Sequence, residues 1–288
     1  MIFLNGKFLP IEQATVPVLD RGFIFGDGVY ELVPVYSRVA FRLDEHLARL
    51  ERSLALVRIR NPHNRQQWRG IIAQLIALQP YEDQGVYFQV TRGVAKRDHA
   101  FPQGVEPTVF IMSSPLVNPP RKLVERGAEA LSAPDYRWQK CDIKSISLIG
   151  NVLLRQVSAD AGAAETILFR DGKLTEASAS NVFIVRGGTI VAPPKSNLIL
   201  PGITYDVVLE LAQAARLPLE VRDVAETEVR AADEIWVTSS SKEVLAIVRL
   251  DGQPVGEGRP GPVFRRMYQL YQDFKKTVMR TGKEKAAA

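Results

Sequence analysis

Between Ser114 and Arg121 the chain reads Ser-Pro-Leu-Val-Asn-Pro-Pro-Arg, and three prolines in eight residues break both a continuous helix and a central strand. The stretch divides the 288 residues into a segment 1–113, a linker 114–121 and a segment 122–288. That length suffices for two compact domains.

The first segment reads as mixed α and β. Ile2–Leu4 and Lys7–Leu9 flank Asn5-Gly6, a hairpin signal. Gly28–Ser37 and Ala40–Leu43 read as strands around a polar turn. Asp44 is placed to cap an amphipathic helix that carries Leu47, Leu50, Leu54 and Val57 on one face. A second helix is expected over Trp68–Leu78, and Gly85–Gly93 and Pro107–Ser113 alternate like sheet strands. In the second segment Thr166–Arg170 and Lys173–Leu174 flank Asp171-Gly172, and Asn181–Val185 and Thr189–Ala192 flank Gly187-Gly188. A helix is expected over Thr204–Ala215, a strand over Glu234–Ser239 and a final helix over Pro262–Lys276. The fold class is therefore α/β (α+β), in two domains with a cleft between them.

Composition narrows the chemistry mainly by exclusion. No run approaches the roughly 18 apolar residues that span a bilayer. The N-terminal Met1-Ile2-Phe3-Leu4 run stops at Asn5-Gly6 and lacks a basic flank, unlike a signal peptide. The single cysteine, Cys141, makes no internal disulfide, so a cytoplasmic location is expected. The net charge of +5 comes from scattered residues, which argues against a nucleic-acid or membrane partner. The one local cluster, Lys275-Lys276 through Lys283 and Lys285, reads as a frayed, solvated tail. His46, His63 and His99 share no metal-ligand spacing with one another or with Cys141, so no metal is expected. There is no Walker loop, and Gly26-Asp27-Gly28 lacks the third glycine of a dinucleotide fingerprint.

Three segments carry the chemistry. The first runs Asp20-Arg21-Gly22-Phe23-Ile24-Phe25-Gly26-Asp27-Gly28-Val29-Tyr30-Glu31. The second is Cys141-Asp142-Ile143-Lys144-Ser145. The third is Leu174-Thr175-Glu176-Ala177-Ser178-Ala179-Ser180-Asn181-Val182-Phe183, followed by Leu200-Pro201-Gly202-Ile203-Thr204. In this order and at these separations they resemble the fold-type IV pyridoxal-phosphate enzymes, the class IV aminotransferase family, from about residue 1 to 278. Within that family the chain looks most like the D-amino-acid aminotransferases. The resemblance implies a smaller N-terminal α/β domain, a larger C-terminal mixed, β-barrel-like domain, and pyridoxal 5′-phosphate in the cleft between them.

The same resemblance assigns residues. Lys144 takes the place of the lysine that carries the cofactor as a Schiff base and shuttles the substrate proton; outside that context it is a loop lysine. Glu176 is placed against the pyridine nitrogen, whereas Thr175-Glu176 read alone is the polar end of a hairpin strand. Arg49, in His46-Leu47-Ala48-Arg49-Leu50, matches the family's phosphate-binding arginine, although it falls off the leucine stripe and periodicity alone makes it a solvated charge. Ile203 and Thr204 open a helix, where N–H groups and the dipole favour an anion even without the resemblance. Ser240 offers a hydroxyl to the same phosphate. Leu200 packs against the cofactor ring or is an ordinary core leucine.

For the substrate, Val90-Thr91-Arg92-Gly93-Val94-Ala95-Lys96-Arg97-Asp98-His99 resembles the segment in which an Arg-x-His pair grips the α-carboxylate. That maps onto Arg97 and His99, donated to the neighbouring active site of a homodimer, with Tyr30 and Tyr87 of the home subunit. Read alone, the stretch is a solvated basic loop. The partners implied are a D-amino acid, of D-alanine or D-glutamate type, and a 2-oxo acid such as 2-oxoglutarate. Ala177 stands where family members often carry glycine, which tightens the side-chain pocket and leaves the preferred donor open. An L-branched-chain aminotransferase shares Lys144, Glu176 and Arg49 but has no need of Arg97 and His99. Aminodeoxychorismate lyase uses the same lysine to release pyruvate. An amine transaminase and a non-enzymatic cofactor-binding protein are the remaining alternatives.

Overall fold

The computed structural model describes residues 1–282, arranged as two compact units. The first comprises Met1–Val117, Ile143–Leu148 and the described residues from Thr277 onward; the second comprises Asn118–Asp142 and Ile149–Lys276. The segment bearing Lys144 thus packs with the first unit although it lies beyond the proline-rich stretch.

In the first unit the elements are β1 (Ile2–Leu4), β2 (Lys7–Leu9), α1 (Arg21–Phe25), β3 (Gly28–Tyr36), β4 (Val39–Ala40), α2 (Leu43–Leu56), α3 (Arg65–Ala77), β5 (Gln84–Thr91) and β6 (Thr108–Pro115). The six strands form one antiparallel sheet in the order β2-β1-β6-β5-β3-β4. Successive residues of a strand face opposite sides, so Val29, Glu31, Val33 and Val35 of β3 point one way and Tyr30 and Leu32 the other. The valines join Leu47, Leu50 and Leu54 of α2 and Trp68, Ile72 and Leu75 of α3 in one core.

Among the boundaries that differ from expectation, those of α2 and α3 do so for local reasons. Arg42 adopts a left-handed conformation (φ 50°), which ends strand pairing at Ala40 and starts α2 at Leu43. Asp44 is therefore in the first helical turn, not at the cap, and receives a hydrogen bond from Arg69 Nε at 3.1 Å. Helix α3 starts three residues before the apolar pattern because Asn64 and Gln67 form a reciprocal capping box.

The second unit holds α4 (Arg121–Arg126), β7 (Ala128–Pro134), α5 (Ile149–Asp160), β8 (Glu165–Arg170), β9 (Lys173–Ala177), β10 (Asn181–Arg186), β11 (Thr189–Ala192), α6 (Ile203–Ala214), β12 (Leu219–Val221), α7 (Glu226–Arg230), β13 (Glu234–Ser239), β14 (Glu243–Leu250), β15 (Gln253–Pro254) and α8 (Pro262–Phe274). Its mixed sheet runs β12-β11-β10-β13-β14-β7-β8-β9, with β15 on β14. The pairs β14–β7, β7–β8 and β11–β12 are parallel. Strand β14 escapes a periodicity search because seven of its eight residues are buried, leaving no alternation to read. Helix α5 escapes it for the opposite reason: Ile149, Val152 and Leu153 face outward and Leu154 inward.

Lys275 corrects the reading of a solvated basic tail. It follows α8 in a π-helical turn (Lys275–Met279), is buried, and pairs with Glu243 Oε1 at 2.6 Å while donating to Asn118 Oδ1 at 2.8 Å. Lys283 and Lys285 lie outside the described residues. No helix among the described residues is long and apolar enough to cross a membrane. Removing one member of a buried pair strands the other charge, at a cost of about 3 kcal/mol. Lys275→Ala should therefore lose stability on that scale in urea unfolding, while the exposed Lys276→Ala should leave the midpoint unchanged.

Candidate active site

Lys144 is fixed by its backbone against β3. Tyr30 N–H donates to the Lys144 carbonyl at 2.9 Å, Ile146 N–H donates to the Gly28 carbonyl at 3.0 Å, and Val29 bridges Ser145. Gly28 permits this approach, since a Cβ there would sit 2.9 Å from Ile146 Cδ1 as well as 2.7 Å from the Val90 carbonyl oxygen of β5. From α2, the buried Ser53 hydroxyl accepts the Lys144 N–H at 3.3 Å. The half-buried ammonium lies 4.2 Å from the centre of the Tyr30 ring and makes no ion pair among the described residues. Tyr87 shares that face of the sheet, its ring 5.5 Å from Tyr30. Burial pushes its hydroxyl up to about 12, and it donates to Gln89 Oε1 at 2.7 Å.

The opposite face of β3 points Glu31 into α2. Arg49 reaches it with a two-pronged contact, Nε to Oε1 and Nη2 to Oε2, both 2.8 Å, and His46 Nδ1 stands 2.8 Å from Oε2. Arg49 is buried, where periodicity alone would have left it a solvated charge. The reason is that His46, Arg49 and Ser53 form a polar strip at i, i+3 and i+7, beside the leucine stripe. The buried face of α2 is wider than its apolar face. Burial alone would raise the Glu31 carboxyl, but the charge of Arg49 and the hydrogen bonds from Arg49 and His46 hold it down to about 2. Burial lowers His46, against the pull of Glu31. His46 Nε2 is buried with no partner among the described residues.

In the second unit Glu176, on β9, is buried under three donors. Arg137 Nη1 reaches Oε1 at 2.5 Å, Leu200 N–H reaches Oε2 at 2.9 Å and Asn181 Nδ2 reaches Oε2 at 3.3 Å. Burial pushes Glu176 up to about 7 against the opposing charge of Arg137. Arg137 is in turn gripped by Asp135 through Nε and Nη2, both 2.9 Å, and Asp135 also accepts the Thr175 hydroxyl at 2.9 Å. The Ser178–Ser180 turn after Glu176 is held by buried Glu165, which accepts both serine hydroxyls and pairs with Lys242 at 2.8 Å.

Leu200, Ile203 and Thr204 lie close in sequence around Gly202, where α6 begins. A side chain on Gly202 would collide with Asn181 Oδ1, the amide that also donates to the Leu200 carbonyl at 2.9 Å. No side chain caps the first turn of α6, a helix start suited to an anion. Ser240 is half-buried in the turn that joins β13 to β14. Arg97 and His99 are exposed on the loop after β5 and make no ion pair among the described residues. Both lean on Phe25 of α1, at 5.3 Å from the guanidinium carbon and 5.4 Å between ring centres.

The sequence pattern of the amino-transferase class IV family matches residues 28–250. The chain belongs to that family. This class IV aminotransferase is 38% identical over 272 residues to a D-alanine aminotransferase of Bacillus licheniformis, covering 94% of this chain and 96% of that one. It is 36% identical to the D-alanine aminotransferase of Staphylococcus aureus strain MW2, covering 95% and 97%. Its architecture superposes with a TM-score of 0.88 on a branched-chain amino acid aminotransferase of T.th. with pyridoxamine 5′-phosphate. The two are 25% identical, over 98% and 94% of the chains. The class IV fold expected from the sequence is the one observed.

The aminotransferase fold thus brings Lys144 to Tyr30 and Tyr87, Glu176 to the Leu200 backbone, and Arg97 and His99 to Phe25. Reading the sequence did not single out Glu31, His46, Asp135, Arg137 or Asn181. The His46–Arg49 spacing on a helix was the one available signal; Arg137 meets Glu176 only through tertiary packing. Because Glu31 is held at about 2 against an ordinary 4.5, its charge contributes about 3 kcal/mol of stability. That contribution is complete above the unfolded value and is lost as pH falls through the folded one. The stability gap between the parent and Glu31→Gln should therefore narrow as the pH drops from 4.5 toward 2. Urea unfolding at stepped pH measures it, and a gap independent of pH would rule the coupling out.

Proposed function

We propose that this chain transfers an amino group between a D-amino acid, of D-alanine or D-glutamate type, and a 2-oxo acid such as 2-oxoglutarate, with pyridoxal 5′-phosphate as cofactor. The observation that carries the reading is the pair Arg97 and His99. They are exposed, unpaired with any acid among the described residues and steered by one aromatic ring, in a chain 38% identical to a D-alanine aminotransferase. A guanidinium and an imidazole in that state suit an incoming carboxylate.

The residues fit the cofactor. Lys144 presents an amine that makes no ion pair among the described residues, and Arg49, on α2, holds a buried guanidinium against Glu31. The uncapped start of α6, with its free N–H groups, also suits a phosphate dianion. In this reading Arg49, Ile203, Thr204 and Ser240 hold the phosphate, Leu200 packs beside the ring, and Glu176 faces the pyridine nitrogen. Bound pyridoxal phosphate supplies an aldehyde that exchanges with the substrate amine and a ring that takes up the electron pair left at Cα.

The chain's own groups do the rest. Arg97 and His99, donated to the second copy of a homodimer, fix the substrate carboxylate with Tyr30 and Tyr87. Lys144 Nζ takes the proton from Cα. Glu176 holds a proton at the pyridine nitrogen, and Arg137 keeps that carboxyl from being neutralised altogether by burial. The cytoplasm is the compartment proposed. A branched-chain reading draws on likeness of fold and leaves Arg97 and His99 without a task.

The test is the visible band of the purified holoenzyme. D-alanine should bleach it and 2-oxoglutarate restore it, while L-leucine leaves it intact; Lys144→Ala should show neither band nor turnover. Bleaching by L-leucine alone assigns the branched-chain class. Release of pyruvate from aminodeoxychorismate without any oxo acid assigns the lyase.

A further inference from the structure

The stretch from Asp20 to Asp27 opens the first of the three segments that mark the family, and of its side chains only Phe25 has entered the site just described. It nevertheless contains a buried guanidinium in an unusual setting. Arg21 is buried and donates through Nε to Asp27 Oδ2 at 2.7 Å. Arg92, at the end of β5 and also buried, grips the same carboxylate through Nε at 2.7 Å and Nη2 at 2.9 Å. Two guanidinium groups thus share one acid. The backbone reinforces the joint: Arg21 N–H donates to the Gly93 carbonyl at 2.9 Å and Arg92 N–H to the Asp27 carbonyl at 3.0 Å.

Both arginines reach onward to the loop that carries Arg97 and His99. Arg21 Nη1 donates to the carbonyl of Asp98 at 2.5 Å, and Asp98 is the residue between them. Arg92 lies 3.7 Å from the centre of the Phe101 ring and is itself anchored to the Val57 and Arg58 carbonyls at 2.8 and 2.9 Å. Phe25, the last residue of α1, receives Arg21 at 4.8 Å and Arg97 at 5.3 Å, with the His99 ring 5.4 Å away. Pinning the Asp98 carbonyl fixes the Asp98–His99 peptide plane, from which the His99 side chain departs and to which Arg97 is joined through Asp98, and Phe25 limits the rotamers of both side chains.

We propose that Arg21, braced by Asp27 and Arg92 and acting through the Asp98 carbonyl and Phe25, is a positioning residue that pre-sets Arg97 and His99 for a substrate carboxylate. The inference rests on the reading of Arg97 and His99 as the carboxylate-binding pair. Ordering an exposed arginine on binding costs affinity, and a loop ordered beforehand avoids that cost.

The split between binding and turnover tests it. Arg21→Lys keeps the charge but loses the fork that spans Asp27 and Asp98. It should raise both the KM for D-alanine and the inhibition constant of propionate roughly tenfold, with kcat at saturation unchanged. Phe25→Leu removes no member of a buried ion pair and should shift the same two constants several-fold in the same direction, so the test survives poor folding of the lysine variant. Unchanged constants in both variants, or a loss confined to kcat or to thermal stability, overturn the proposal. Arg97→Ala separates the levels. If it raises KM and neither other variant does, the clamp alone fails; if it leaves KM unchanged, the carboxylate reading fails and the clamp falls with it.

Discussion

Glu31 has no solvent contact, and its charge persists only because Arg49 and His46 approach it from α2. An ionised carboxylate cannot be buried alone. Its presence on the core-facing side of β3, among valines, therefore dictates that a cationic side chain come down from the helix that packs there. That requirement sets the rotation of α2 about its own axis. With Arg49 turned inward, Ser53 one turn on is also turned inward and meets the Lys144 backbone. The apolar stripe alone would have tolerated a helix rolled slightly further, with the polar strip in water. One acid thus links the packing of the first unit to the placement of its lysine.

The second unit solves a related problem with the charges reversed. Arg137 is held by Asp135, so that its remaining nitrogen is presented to Glu176. The result differs from that at Glu31, because burial outweighs the arginine here and raises the carboxyl to about 7 instead of holding it near 2. The difference follows from how the charge of each arginine is used. Arg49 gives two nitrogens to Glu31, whereas Arg137 commits two to Asp135 and gives one to Glu176. A carboxyl poised near neutrality can keep or yield a proton to a basic nitrogen beside it, while one held near 2 serves only as a fixed counter-charge.

The same buried-guanidinium device appears a third time, where Arg21 and Arg92 share Asp27. In each case the planar fork does more than neutralise an acid: it joins segments distant in the chain, helix to strand at Glu31 and loop to strand at Glu176 and Asp27. The short helix α1 has too few residues to be stable by itself, and it is these contacts and the Asp20 cap that keep it in place.

The Asn5-Gly6 hairpin, the leucine stripe of α2 and the strands around Asp171-Gly172 and Gly187-Gly188 were legible in the sequence, because turn chemistry and periodicity are local properties. So was the order of the family's three segments, which is a linear pattern. Strand β14 was not legible, since a strand buried on both faces has no alternation. Nor was the fate of Lys275, whose partner Glu243 lies 32 residues away in sequence. Arg49 marks the boundary most clearly. Its identity could be read from its neighbours in the chain, but periodicity turned it toward water, and only Glu31 on a separate strand turns it inward. By itself the sequence determined which residues repeat along an element and which motifs follow one another. Tertiary structure decided which charges meet, because the free energy of a buried charge depends on its neighbours in space, and those come from distant parts of the chain.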